Sequence, residues 1–157
     1  MDNKELIRLA LEAREMAYVP YSGFKVGAAL LTKEGRVYKG CNIENAGYTP
    51  TNCAERTAFF KAVSEGEREF SAIAIVGGKG DLPTDYAYPC GVCRQVMMEF
   101  CDPKTFRVIT AISEDTYLDK TLEEMLPFGF GFLPISRCYL WNGLDYFRLS
   151  SLAWYIA

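Results

Sequence analysis

Residues 71–112, SAIAIVGGKGDLPTDYAYPCGVCRQVMMEFCDPKTFRVITAI, decide the fold. Ser71–Val76 is a short apolar run of the kind a buried strand makes. From Gly77-Gly78-Lys79-Gly80 to Pro83 the chain reads as a flexible crossing, because glycine and proline punctuate regular structure. Cys90–Phe100 reads as a helix and Phe106–Ile112 as the next strand. A strand, a helix and a strand in that order imply a right-handed parallel crossover.

Outward from this unit the pattern continues. Cys53–Val63 reads as another helix, ending near Gly66, and Asn45–Pro50 as a loop. Phe24–Thr32 and Val37–Ile43 read as strands joined by a Lys33-Glu34-Gly35 hairpin turn. Leu6, Leu9, Ala10, Ala13 and Ala17 recur at helical spacing, which predicts a helix over Asp2–Ala17 with Asp2 as N-cap and Pro20 at its exit. Downstream, Asp115–Lys120 is a strand or turn and Thr121–Leu126 a short helix. Together these elements predict an α/β sandwich around one mixed sheet. No repeat or low-complexity linker interrupts them.

The 157 residues suffice for one domain with a proper core, and half of them are hydrophobic. The formal net charge is -3 and the pI about 5.1. No basic stripe exists to neutralise phosphates, so nucleic acid is not an expected partner. No segment has the length and purity of a membrane span. The opening Met1-Asp2-Asn3-Lys4-Glu5 carries acids instead of a signal peptide's basic and apolar plan, so a cytoplasmic protein is expected. In that compartment the six cysteines are expected to bind metal, react or lie buried, not to form disulfides.

The chain has no histidine. That removes every Ser-His or Cys-His nucleophile and every histidine-ligated metal. Carboxylates and thiolates are left to carry the chemistry. Two blocks concentrate them: Cys53-Ala54-Glu55 and Pro89-Cys90-Gly91-Val92-Cys93. Each enters a predicted helix. Cys90 and Cys93, three apart, share one helix face. All three sulfurs lie where backbone N–H groups are free and the helix dipole is positive, which favours anionic sulfur. The pair of blocks reads as three thiolate ligands for a zinc ion, with the fourth position open as catalysis requires.

Glu55 is the proposed proton carrier beside that ion. Read alone, it is an ordinary first-turn acid. Arg56 follows it and is placed to hydrogen-bond ligand sulfurs and offset their charge; read alone it is a surface arginine. Cys101 lies about 16 Å from Cys90 along the helix, too far to share the ion. Cys41, Cys101 and Cys138 are read as buried structural thiols. Asn42 and Glu44 point the same way along an extended segment and suit a clamp on two sugar hydroxyls, or else form a solvent-facing strand edge.

Five stretches, in order, resemble the small zinc-dependent cytidine deaminases of nucleoside salvage. They are Tyr18–Leu30 (YVPYSGFKVGAAL), Gly40–Ala46 (GCNIENA), Cys53–Ala58 (CAERTA), Ala87–Gln95 (AYPCGVCRQ) and Leu126–Gly131 (LPFGFG). The resemblance implies a three-layer α/β/α sandwich around a mixed, mostly five-stranded sheet. It implies that Cys53, Cys90 and Cys93 hold one Zn²⁺ per subunit and that Glu55 shuttles protons. Phe24, Asn42, Glu44, Ala54 and Phe130 would contact the nucleoside, Phe130 reaching into a neighbouring subunit's site. The family's all-cysteine branch is typically a homotetramer. The implied reaction converts cytidine, and 2'-deoxycytidine, to the uridine product and ammonia in pyrimidine salvage.

The resemblance covers residues 1–133, taken as the deaminase domain. It departs at Phe132, where the family usually has proline. Residues 134–157 are strongly aromatic (Tyr139, Trp141, Tyr146, Phe147, Trp154, Tyr155). They read either as an element packed on the domain or at a subunit contact, or as a disordered extension. Three rivals stand beside this reading: a thioredoxin-type redox protein built on PCGVC, a structural zinc module with a closed ligand shell, and a deaminase of another substrate such as a nucleoside antibiotic or a nucleic-acid cytosine.

Overall fold

A computed structural model describes residues 1–129 and 131. The 134–157 extension, Cys138, Phe130 and Phe132 lie outside the described residues. Nine elements follow in order: α1 (Asn3–Arg14), β1 (Phe24–Thr32), β2 (Val37–Cys41), α2 (Ala54–Ser64), β3 (Phe70–Lys79), α3 (Gly91–Phe100), β4 (Arg107–Ala111), β5 (Tyr117–Thr121) and α4 (Leu122–Met125). The strands form one sheet in the order β2-β1-β3-β4-β5. β1 is antiparallel to both β2 and β3, so those two run parallel to each other. β3 and β4 are parallel, and β5 returns antiparallel at the edge. The expected mixed five-stranded sheet is therefore present.

The helices lie in two layers. α1 buries Leu6, Ile7 and Ala10 against Ala29, Ala72, Ala74, Val76 and Ile109 on one face of the sheet. On the other face α2 and α3 bury Ala58, Phe59, Ala62, Met97 and Met98 against Ala28, Leu30, Ile73, Ile75 and Val108. Alternate residues of β1 and β3 thus serve opposite cores, as the strand period of two requires. Both crossovers, β2-α2-β3 and β3-α3-β4, step the same way across the sheet. Crossovers of one hand then put both helices on one face, with both N-termini at the same end of the strands. Phe59 centres that layer, its ring 5.0 Å from Phe70, 6.0 Å from Phe100 and 6.1 Å from Phe106, centroid to centroid.

Boundaries differ from the sequence reading where distant pairing overrides local pattern. Asp2 does cap α1, its carboxylate accepting from Glu5 N at 2.8 Å. The helix stops at Arg14 instead of Ala17, because Met16 N and Ala17 N bond three residues back and Tyr18 N turns to Asn42 O. β2 ends at Cys41, not Ile43. Beyond it Ile43 pairs with Asn52 across two bonds of 2.9 Å, and Glu44 N donates to Tyr18 O. The supposed crossing at Gly77 is strand: Gly77 and Gly78 pair with Val26 and Lys25 and carry β3 on to Lys79. Sheet pairing outweighs the weak intrinsic strand preference of glycine there. The ambiguous segment near 115–120 is strand β5, and α4 starts on a capping box between Thr121 and Glu124.

One glycine sets how closely α2 lies on the sheet. A Cβ on Gly40 would overlap Ala54 O and sit 2.5 Å from Ala58 N, both helix backbone that cannot step aside. Gly40→Ala should therefore destabilise the fold by about 1–3 kcal/mol, through overpacking. Urea unfolding followed by circular dichroism checks this, and a midpoint equal to that of the parent would contradict it.

Candidate active site and metal centre

The shared end of the parallel strands brings Cys53 and Cys90 together. Each is the N-cap of its helix, with extended backbone (φ -76°, ψ 156° and φ -67°, ψ 166°) and no capping bond from its own side chain. An ordinary N-cap side chain folds back onto the first turn. These two point instead at each other, Sγ to Sγ 3.8 Å. Cys93, one turn into α3 and buried, lies 3.5 Å from Cys90. All three sulfurs fall within 4.8 Å of one another.

That spacing fits a metal ion. Tetrahedral zinc with bonds of about 2.3 Å holds its sulfurs about 3.8 Å apart. Among the described residues no fourth His, Cys, Asp or Glu joins the group, so three thiolates leave one position open. A closed structural shell would need another ligand. Cys41 and Cys101 are free thiols away from the group; Cys101 is buried as expected, whereas Cys41 is only half-buried, at the end of the edge strand β2. Burial pushes the Cys101 thiol up, which makes it inert.

Electrostatics place negative charge on Cys53, and the hydrogen bond to it, together with burial, pushes the Cys93 thiol up. Hydrogen bonding with Cys93, and then the Arg56 guanidinium, pulls the Cys53 thiol down to about 5. Arg56 Nη2 lies 3.8 Å from Cys53 Sγ and donates to Thr51 O at 3.1 Å. Its expected contact with a ligand sulfur is present. Glu55 is 4% exposed. Burial, with the Cys53 charge adding to it, pushes its carboxyl up to about 7. A carboxyl with that value can both accept and release a proton near neutral pH.

A cavity of about 480 Å³ opens beside the sulfurs. Phe24, Asn42, Cys53, Ala54, Glu55 and Cys90 line it, which brings together most of the sequence-predicted set. Glu44 is not among its lining residues; it faces a neighbouring cavity of about 300 Å³, and Thr51 borders both. Asn42 and Glu44 also have structural partners. The Asn42 amide continues the sheet ladder, accepting from Val26 N at 2.8 Å and donating to Phe24 O at 2.9 Å. The Glu44 carboxylate accepts from Tyr21 N at 2.9 Å and Ser22 N at 3.2 Å; the Ser22 side chain first, and then these backbone donors, hold it below the usual carboxylate range. Phe130 falls outside the described residues.

Sequence reasoning missed Thr51, Asn52, Tyr86, Ala87 and Tyr88, all of which line the main cavity. Their adjacency to Cys53 and Cys90 was the available signal. Asn52 is tied to Thr57 Oγ1 at 3.0 Å, which in turn donates to Cys53 O at 3.1 Å, fixing the chain where it enters α2.

Protein purified without added metal should carry about one zinc per chain by atomic emission, since three thiolates at helix N-termini suffice to hold it. Cys90→Ala should lose most of that zinc, whereas Glu55→Gln should keep it. Retention in Cys90→Ala would remove that sulfur from the ligand set.

Comparison with known proteins agrees with this geometry. The family model of the cytidine and deoxycytidylate deaminase zinc-binding region matches residues 1–109. A cytidine deaminase of Sporosarcina psychrophila is 51% identical over 130 residues, covering 83% of this chain and 92% of that protein. One from Halalkalibacterium halodurans is 53% identical over 131 residues, covering 83% and 95%. The crystal structure of a cytidine deaminase from Burkholderia pseudomallei superposes with a TM-score of 0.75 at 47% identity, covering 83% of this chain and all 100% of that one. With its sulfur trio, its buried glutamate and these likenesses over most of its length, the chain belongs to the cytidine and deoxycytidylate deaminase family.

Proposed function

We propose that this protein hydrolyses cytidine, and 2'-deoxycytidine, to uridine or deoxyuridine and ammonia, as a step of pyrimidine salvage in the cytoplasm. The observation that carries the reading is the buried Glu55 beside Cys53, Cys90 and Cys93 at the foot of one cavity. Cys53, Cys90 and Cys93 would hold a zinc ion, which supplies a Lewis acid that activates water near neutral pH.

The chain's own residues do the rest. Glu55 accepts a proton from the attacking water and delivers it to ring N3 as oxygen adds at C4. It then takes the proton of the new C4 hydroxyl and passes it to the exocyclic nitrogen; C4 becomes a carbonyl as its bond to that nitrogen breaks, and ammonia departs. One carboxyl with a raised pKa serves both directions. Ala54 begins α2, so its backbone N–H has no partner within the helix and is a donor for the pyrimidine carbonyl. Phe24 packs against the base. Asn42 and Glu44 hold the ribose hydroxyls, exchanging part of their present bonding to the 21–26 backbone for the sugar. Arg56 offsets the anionic sulfurs.

A homotetramer with shared active sites is part of the same reading, Phe130 completing a neighbour's pocket. Tyr21, Tyr48 and Tyr88, each more than half exposed near the cavity mouths, support a covered surface there. The deaminase domain ends near residue 133, and the 134–157 segment is an extension to it.

Two measurements test this. Ultraviolet monitoring of cytidine should show conversion that a chelator abolishes and added zinc restores. In Glu55→Gln the rate should fall by at least about 10²–10⁴, the usual weight of general acid-base catalysis. Near-normal turnover in that variant would take Glu55 out of the mechanism, and turnover only of a cytosine nucleoside antibiotic would replace the substrate. Asn42→Ala and Glu44→Ala should each weaken nucleoside binding by about 1–3 kcal/mol; an unchanged KM in both would refute the ribose clamp.

A further inference from the structure

Among the described residues Arg14 is the largest fully buried side chain, with 1% of its surface exposed, and the reaction above does not use it. It ends α1, on the face of the sheet opposite α2 and α3. A buried guanidinium is costly unless its donors are met. Four of its five N–H groups are. Nη1 donates to Asp81 O and to Glu15 Oε1, each at 3.0 Å. Nη2 donates to Gly78 O at 3.0 Å and to Gly80 O at 2.7 Å. Nε has no partner among the described residues.

Three of the four acceptors are backbone carbonyls in one short stretch, Gly78 to Asp81, where the chain leaves β3. That stretch opens the segment running to Cys90. The segment folds straight back: a Cβ on Gly78 would lie 3.0 Å from Pro83 Cα, and one on Gly77 would lie 2.7 Å from Ala87 Cβ and 3.0 Å from the Phe24 ring. Tyr86, Ala87 and Tyr88 then form part of the cavity lining, and Cys90 caps α3. The network also reaches the Phe24 side. Glu15 uses its second oxygen to accept from Lys25 Nζ at 3.1 Å, next to Phe24 in β1. Only a planar, five-donor fork spans three carbonyls in this way; a lysine offers its donors from one atom.

We propose that Arg14 is a positioning residue: from the far face of the sheet it fixes the 78–90 segment and so the Tyr86–Tyr88 wall of the nucleoside cavity. The identity of the nucleoside rests on the cytidine deaminase reading, whereas the clamp itself does not. Arg14→Met removes all four bonds, and Arg14→Lys keeps the charge while losing the fork.

The zinc-loaded full chain and both variants are compared by hydrogen-exchange mass spectrometry without ligand, together with zinc content and cytidine kinetics. The expected result is faster exchange confined to residues 80–89, with β1 and α2 protected as before and zinc unchanged. KM should rise about tenfold in Arg14→Met, equivalent to about 1.4 kcal/mol, and less in Arg14→Lys, with a smaller change in kcat. Exchange in 80–89 like that of the parent, or acceleration spread evenly over the chain, would overturn the proposal. So would failure of both variants to fold, which would make Arg14 a general stability element. If the parent protein deaminates no cytidine, the functional reading fails, and the exchange pattern still decides the clamp.

Discussion

The structure depends on two helix N-termini meeting at one point. Three sulfurs in a partly buried site become anions only at a cost, which the metal they would hold and a local field offset. The first turns of α2 and α3 provide that field, with Arg56 added. Topology makes the meeting possible. β2 and β3 run parallel on either side of β1, so the helices that follow them begin at the same end of the sheet. The contact of α2 with Gly40 sets the last ångström, because any side chain there would push Ala54, and Cys53 and Glu55 beside it, off the sheet.

This arrangement also explains why Glu55 departs from an ordinary first-turn acid. Glu55 sits in the first turn of α2, where a surface acid would interact with the dipole and stay ionised. Buried beside the Cys53 thiolate, it is pushed up to about 7 instead. The environment that gathers the three sulfurs thus also raises the Glu55 carboxyl. The helix supplies both through two positions separated only by Ala54: Cys53, the N-cap, and Glu55, the second helical residue.

Local signals were legible and long-range ones were not. β1 was readable to the residue because its apolar run ends at a turn signal, and α2 and α3 began within one residue of expectation because their caps are the cysteines themselves. β3 was read three residues short at its C-terminal end because glycines look like breakers until β1 is known to lie beside them. Asn42 was readable as one arm of a hydroxyl clamp or as a solvent-facing edge residue, yet its bonds to Phe24 and Val26 need the tertiary fold to be seen. Arg14 gave no signal: a helical arginine is ordinarily a surface residue, and only the return of the 78–81 stretch across the sheet makes it a core one. The sulfur trio was legible for the opposite reason. Two short, chemically unusual blocks carried it, and no other fold-level knowledge was needed to pair them.

The most direct test of the sulfur centre is X-ray absorption at the zinc edge on the purified protein in solution. The account predicts three sulfur scatterers at about 2.3 Å and one oxygen or nitrogen at about 2.0 Å, the shell of an open catalytic site. Four sulfurs around the metal, or no zinc with Cys90 and Cys93 joined in a disulfide, would contradict it.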